Sequence, residues 1–124
     1  MTNPAQVASA DLAAELHHGD PLMIDYMPSD AVKGGQMLAY SAEVTVVAHN
    51  DIGALEMGAV AFPSSHAVYR VKLATGQSYS MGDAVTVDIA TQRATSSGTA
   101  PFGVCVAKDV DQAAGDVFVY VVHR

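Results

Sequence analysis

The chain has 124 residues, 50% of them apolar and only 15% charged, with a formal net charge of −7. That length suits one domain, which can bury roughly two-thirds of its unfolded surface without a disulfide or metal staple. An acidic chain repels phosphate backbones, and its six cations (Lys33, Arg70, Lys72, Arg93, Lys108, Arg124) are scattered, so nucleic-acid binding is excluded as an expectation.

Apolar residues outnumber charged ones so strongly that some apolar surface is expected to be covered by a partner or by sister subunits. No stretch reaches the ~20 apolar residues of a membrane span. The N-terminus has no basic start followed by an apolar core, so the sequence predicts synthesis in a cytoplasm without a secretory signal. Cys105 is the only cysteine and lies in the apolar run 102–107, where a buried hydrophobic role is expected of it.

Residues 1–8 are small and polar and are predicted to form an arm. A short helix is predicted next, with Ser9 as its cap and Asp11 in its first turn. It would run through Leu12 to Leu16, with His17 and His18 in its last turn and Gly19 as the stop. The arm and helix, residues 1–18, are set apart from a single β-rich domain over 19–124.

Strand signals dominate from Pro21 onward. The predicted strands are Leu22–Tyr26, Gln36–Tyr40, Glu43–His49, Gly58–Phe62 and Ala67–Leu73. Ala84–Ala90, a short Arg93–Thr95, Phe102–Ala107 and Val117–Val122 complete the set. Two runs alternate clearly: Tyr69, Val71 and Leu73 on one face of the fifth, and Val85, Val87 and Ile89 on one face of the sixth. Turn signals recur about every ten residues and no long helical period separates the strands, so an all-β fold, a mainly antiparallel sandwich or barrel, is expected. Val117–Val122 is apolar throughout, as expected of a central strand or one at a subunit interface. The pairs Gly19-Asp20, Gly82-Asp83 and Gly115-Asp116 suit tight turns.

The chemistry-bearing residues form no recognisable catalytic pattern. The histidines (17, 18, 49, 66 and 123) lack zinc-type spacing, and no Cys-x-x-Cys occurs. Ser64-Ser65-His66 reads as a polar turn after Pro63, because catalytic Ser–His pairs are assembled from distant segments. Asp109, Asp111 and Asp116 flank a loop without the further carboxylates of a calcium loop. Gly53–Gly58 lacks the following Lys and Ser/Thr of a phosphate loop. The expectation is a non-enzyme without metal or cofactor.

Six ordered segments carry a family resemblance. They are 31–36 (Ala-Val-Lys-Gly-Gly-Gln), 67–71 (Ala-Val-Tyr-Arg-Val) and 81–88 (Met-Gly-Asp-Ala-Val-Thr-Val-Asp), then 93–95, 102–107 and 114–121. In order and spacing they resemble the cement, or head-decoration, proteins of tailed-phage capsids, whose homologues are sometimes labelled recombinases. The resemblance implies a β domain on the outer surface of the virion head that bridges major capsid protein subunits, assembling as a trimer or, less favoured, a dimer. Candidate capsid contacts are Val7, Leu12 and Leu16. Candidate self-association residues are Phe118, Tyr120 and Val122. The alternative reading is a β module binding a glycan or other ligand on a virion or cell surface.

Overall fold

The computed structural model describes residues 13–111 and 116–124. Ten strands form two antiparallel sheets, and no helix occurs among the described residues. The strands are β1 (Ala14–Gly19), β2 (Leu22–Tyr26), β3 (Met37–Ser41), β4 (Val44–Ala48), β5 (Gly58–Phe62), β6 (Ala67–Lys72), β7 (Ala84–Asp88), β8 (Arg93–Ala94), β9 (Ala100–Asp111) and β10 (Asp116–His123). One sheet has the order β1-β6-β10-β9-β7-β8, the other β2-β5-β4-β3.

The sheets pack face to face as a sandwich. Met37, Val47 and Ala61 of the four-stranded sheet meet Tyr69, Val71, Val85, Val87, Phe102, Cys105, Val119 and Val121 of the six-stranded one in a single apolar core. The period-2 strands put their apolar sets where expected: Tyr69 and Val71, and Val85 and Val87, are all buried. Cys105 is fully buried in this core, and burial pushes its thiol pKa up.

The helix expected through Leu16 is replaced by a strand from Ala14 onward. β1 pairs antiparallel with β6, from Ala14 opposite Val71 to Gly19 opposite Ala67. A helix of one or two turns is marginal, whereas the open edge of β6 offers a row of backbone donors and acceptors. The edge wins, and Ala14 enters the core. Ser9 and Asp11, the expected start of that helix, lie outside the described residues, as does the arm at 1–8. Gly19 does end the element, as a strand terminus. It adopts φ +108, and a Cβ there would stand 2.2 Å from the carbonyl oxygen of His66.

Other turns follow their residues. Gly82 has φ +93, and Asp83 accepts the Ser80 amide at 2.8 Å to steer the chain into β7. Ser64-Ser65-His66 is the β5–β6 turn, with the Ser64 and Ser65 amides donating to the carbonyl oxygen of His123 at 3.2 and 2.9 Å.

Candidate functional site

The four-stranded sheet is apolar on both of its faces. Strand pairing fixes which residues share the outer one: Leu22 opposite Phe62, Ile24 opposite Val60, Val60 opposite Ala48, and Leu38 opposite Val46. Val46, Ala48 and Val60 are buried there beneath Val32 and Ile52, which meet in a two-way backbone bridge (2.9 and 3.0 Å). That cover is partial. Ile24, Tyr26, Leu38, Val44 and Phe62 pack around it half-buried. Leu22 is 52% exposed and Tyr40 48%.

An aromatic group crosses this face. Tyr40 sits edge-on to Phe62 with centroids 5.5 Å apart, and 6.2 Å from Tyr26. Beyond the Tyr26 end of β2, Met27, Leu55 and Met57 are all more than half exposed. Asp25 is the only charged residue in β2–β5. A face of this kind holds no acid, base or nucleophile. It is suited to contact another apolar surface, with phenol hydroxyls free to hydrogen-bond at the rim.

The outer face of the six-stranded sheet is different. Phe118 lies opposite Lys72, Tyr120 opposite Arg70 and Val122 opposite Val68. The Arg70 guanidinium stands 3.5 Å from the Phe118 centroid, and Phe118 is only 1% exposed. Tyr120 is half-buried, its ring 4.4 Å from that of His17. His17 is the extra residue of a bulge in β1 between Leu16 and His18, and its ring stands 5.1 Å from that of His18. Apolar side chains do cover both faces of β10, which lies centrally between β6 and β9.

Of the residues singled out for capsid contact, Leu16 lies on the β1 edge, 37% exposed, while Val7 and Leu12 fall outside the described residues. Phe118, Tyr120 and Val122 share one face, as period-2 spacing requires. The aromatic face of the other sheet was not singled out by sequence, although Tyr26, Tyr40 and Phe62 each stand in a predicted strand. Among the described residues no three His, Cys, Asp or Glu side chains converge to hold a metal ion.

The chain is a two-layer antiparallel β domain whose most distinctive surface is a weakly charged apolar sheet face. The chain is a member of the phage cement protein family: that family's sequence model matches residues 16–123. Its role is therefore structural, in the phage capsid. Comparison with curated proteins and with solved structures returned no match.

Proposed function

We propose that this protein is a non-enzymatic cement that binds the outer surface of a tailed-phage head and bridges neighbouring major capsid protein subunits. The observation that carries the reading is the outer face of the four-stranded sheet, where Leu22, Tyr26, Tyr40 and Phe62 form an apolar surface that the chain itself covers only in part. We assign capsid contact to that face, with Leu16 at the adjoining edge strand as a secondary contact. Self-association, as a homotrimer with a dimer as the alternative, is assigned to the exposed part of the other sheet's outer face, around Tyr120 and Val122. Phe118, sealed beneath Arg70, supports that face from below. Cement binding stabilises a shell by linkage: a ligand selective for the assembled lattice adds about 2.7 kcal/mol per site at a hundredfold excess over its Kd.

The test is co-sedimentation with undecorated heads. Leu22→Asp and Tyr40→Asp alter half-exposed side chains, so each variant is expected to keep the parent's circular dichroism spectrum. Withdrawing a large apolar side chain from a contact is worth about 1.5–3 kcal/mol, so capsid affinity should fall by about tenfold or more for each. Unchanged binding by both folded variants refutes the assignment of the face. Binding of sugars, but not heads, by the parent would move the aromatic group to the glycan-binding reading. Mass measurement in solution decides between trimer and dimer.

A further inference from the structure

Two histidines reach across the seam between the sheets, one from each side. His123, the last residue of β10, is 1% exposed, and its Nε2 lies 2.7 Å from the carbonyl oxygen of Thr45 in β4. His49, the residue after β4, bonds through Nε2 to the hydroxyl of Tyr69 in β6. Tyr69 stands between them, its ring edge-on to His49 (5.7 Å) and to His123 (5.4 Å). Phe102 of β9 stacks on the His123 ring at 4.6 Å.

The bonding fixes the Nε2 proton of His123, whose partner is a carbonyl, and pairs His49 with a hydroxyl that can donate to it. Burial keeps the Tyr69 phenol protonated, and His49 Nε2 is the partner for its hydroxyl proton. With the hydroxyl as donor, His49 is the neutral tautomer whose Nε2 is bare. His123 donates its Nε2 proton to the Thr45 carbonyl, which leaves Nδ1 bare, and Nδ1 has no hydrogen-bond partner. The Thr45 hydroxyl is unpartnered as well. A proton added at Nδ1 would place a charge and an unpaired donor in an apolar seam. Around His123, β4 contributes the Thr45 backbone, the residue after β4 is His49, β6 contributes Tyr69, and β9 contributes Phe102. None is a carboxylate that would favour the imidazolium, and His49 disfavours it by like charge.

We propose that His49, Tyr69 and His123 form an acid-sensitive clasp that holds the two sheets together while both imidazoles are neutral and releases them when both are protonated. The clasp is a property of the fold and does not depend on the identity of the capsid contact. Its sign follows from burial, which lowers both folded-state histidine pKa values below the ordinary value of about 6.5. Stability from the clasp is complete above the unfolded value and is lost as pH falls through the lower, folded one. Within that window the unfolding constant should rise about tenfold per pH unit for each histidine, and approach a hundredfold where both titrate together.

The experiment is urea unfolding of the full chain at intervals from pH 8 to pH 5, on the parent, on His49→Gln with His123→Phe, and on His17→Gln with His18→Gln. The parent's midpoint should hold steady above about pH 7 and fall below it. The clasp variant should have a lower midpoint at pH 8 but a flatter profile, and the His17/His18 variant should keep the parental slope. Should the clasp variant fail to fold, the parent's imidazole proton resonances provide the same test: those of His49 and His123 should titrate below the ordinary histidine value of about 6.5. A parental midpoint unchanged between pH 7.5 and 5.5, a parental slope in a folded clasp variant, or His49 and His123 titrating at the ordinary histidine value would each overturn the proposal.

Discussion

The sharpest structural expectation concerns Gln92, in the turn between β7 and β8. Its carboxamide oxygen accepts the Met37 amide at 2.7 Å, and its carboxamide nitrogen donates to the Met37 carbonyl at 2.7 Å and to the Ile89 carbonyl at 2.9 Å. β3 pairs only with β4, so the backbone of Met37 faces an open edge, where the Gln92 side chain substitutes for one residue of a missing strand. It also ties the small sheet to the large one at this corner. Met37 is fully buried, so Gln92→Ala would strand two backbone groups. Each costs about 1–3 kcal/mol if left dry, and partial hydration through the half-exposed Gln92 position puts the expected loss at about 2–4 kcal/mol.

Two companions separate the causes. Gln92 has φ +58, where an L residue pays for a left-handed backbone, so Gln92→Gly should be about 1 kcal/mol more stable than Gln92→Ala. Gln92→Glu keeps the shape but cannot donate to either carbonyl at neutral pH, and should be no more stable than Gln92→Ala. The assay is urea unfolding followed by tyrosine fluorescence, since the chain has no tryptophan, and by circular dichroism. A Gln92→Ala loss under about 0.5 kcal/mol, within the range of ordinary surface substitutions, would refute the strand-substitute argument.

Two further expectations concern the core. Gly103 pairs with His123 across β9 and β10, and a Cβ there would stand 1.8 Å from the Val122 carbonyl oxygen, so Gly103→Ala should cost about 3 kcal/mol or more. Gly76→Ala, at φ +80 with open space around it, should cost only about 1–2 kcal/mol, and thermal melts of the pair check the order. Buried Cys105, its thiol pKa raised by desolvation, should react with a thiol reagent in the native protein at least about a thousandfold more slowly than in urea, given a stability of about 5 kcal/mol. Labelling at the unfolded rate would contradict its place in the core.

What was legible in the sequence is what each strand states by itself. Leu22–Tyr26 and Gly58–Phe62 were readable to the residue, because each is a short apolar run bounded by Pro, Gly or a turn. β9 was read as Phe102–Ala107 but runs from Ala100 to Asp111. Its far half carries Lys108, Asp109 and Asp111, and joins the sheet because β10 pairs with it, not because of its own hydrophobicity. The same holds for β1: its strand state comes from the β6 edge, while its local signals suit a short helix. Sandwich and barrel differ only in whether the sheet edges join, and at β3 a glutamine side chain occupies the edge, which strand patterns do not reveal. The aromatic face was illegible because Tyr26, Tyr40 and Phe62 lie on three strands and meet only through the register of the sheet.

The two sheets divide the work unequally, and their edges show how. β1 carries a bulge at His17 and polar Glu15 and His18 beside it, and β8 is only two residues long. β3 is bulged near Tyr40 and capped by Gln92. These are the devices that keep sheet edges from recruiting other chains. β2 has only one of them, the charge of Asp25. It is an edge strand without a bulge, a Lys or an internal Pro, and Leu22, Met23 and Asp25 are exposed along it. Blunting is therefore lightest along the β2 edge of the apolar face. A chain under selection only to stay monomeric and soluble gains nothing from leaving one edge and one face open together. A chain that spends its working life seated on a lattice does, since the partner then covers what the fold leaves bare.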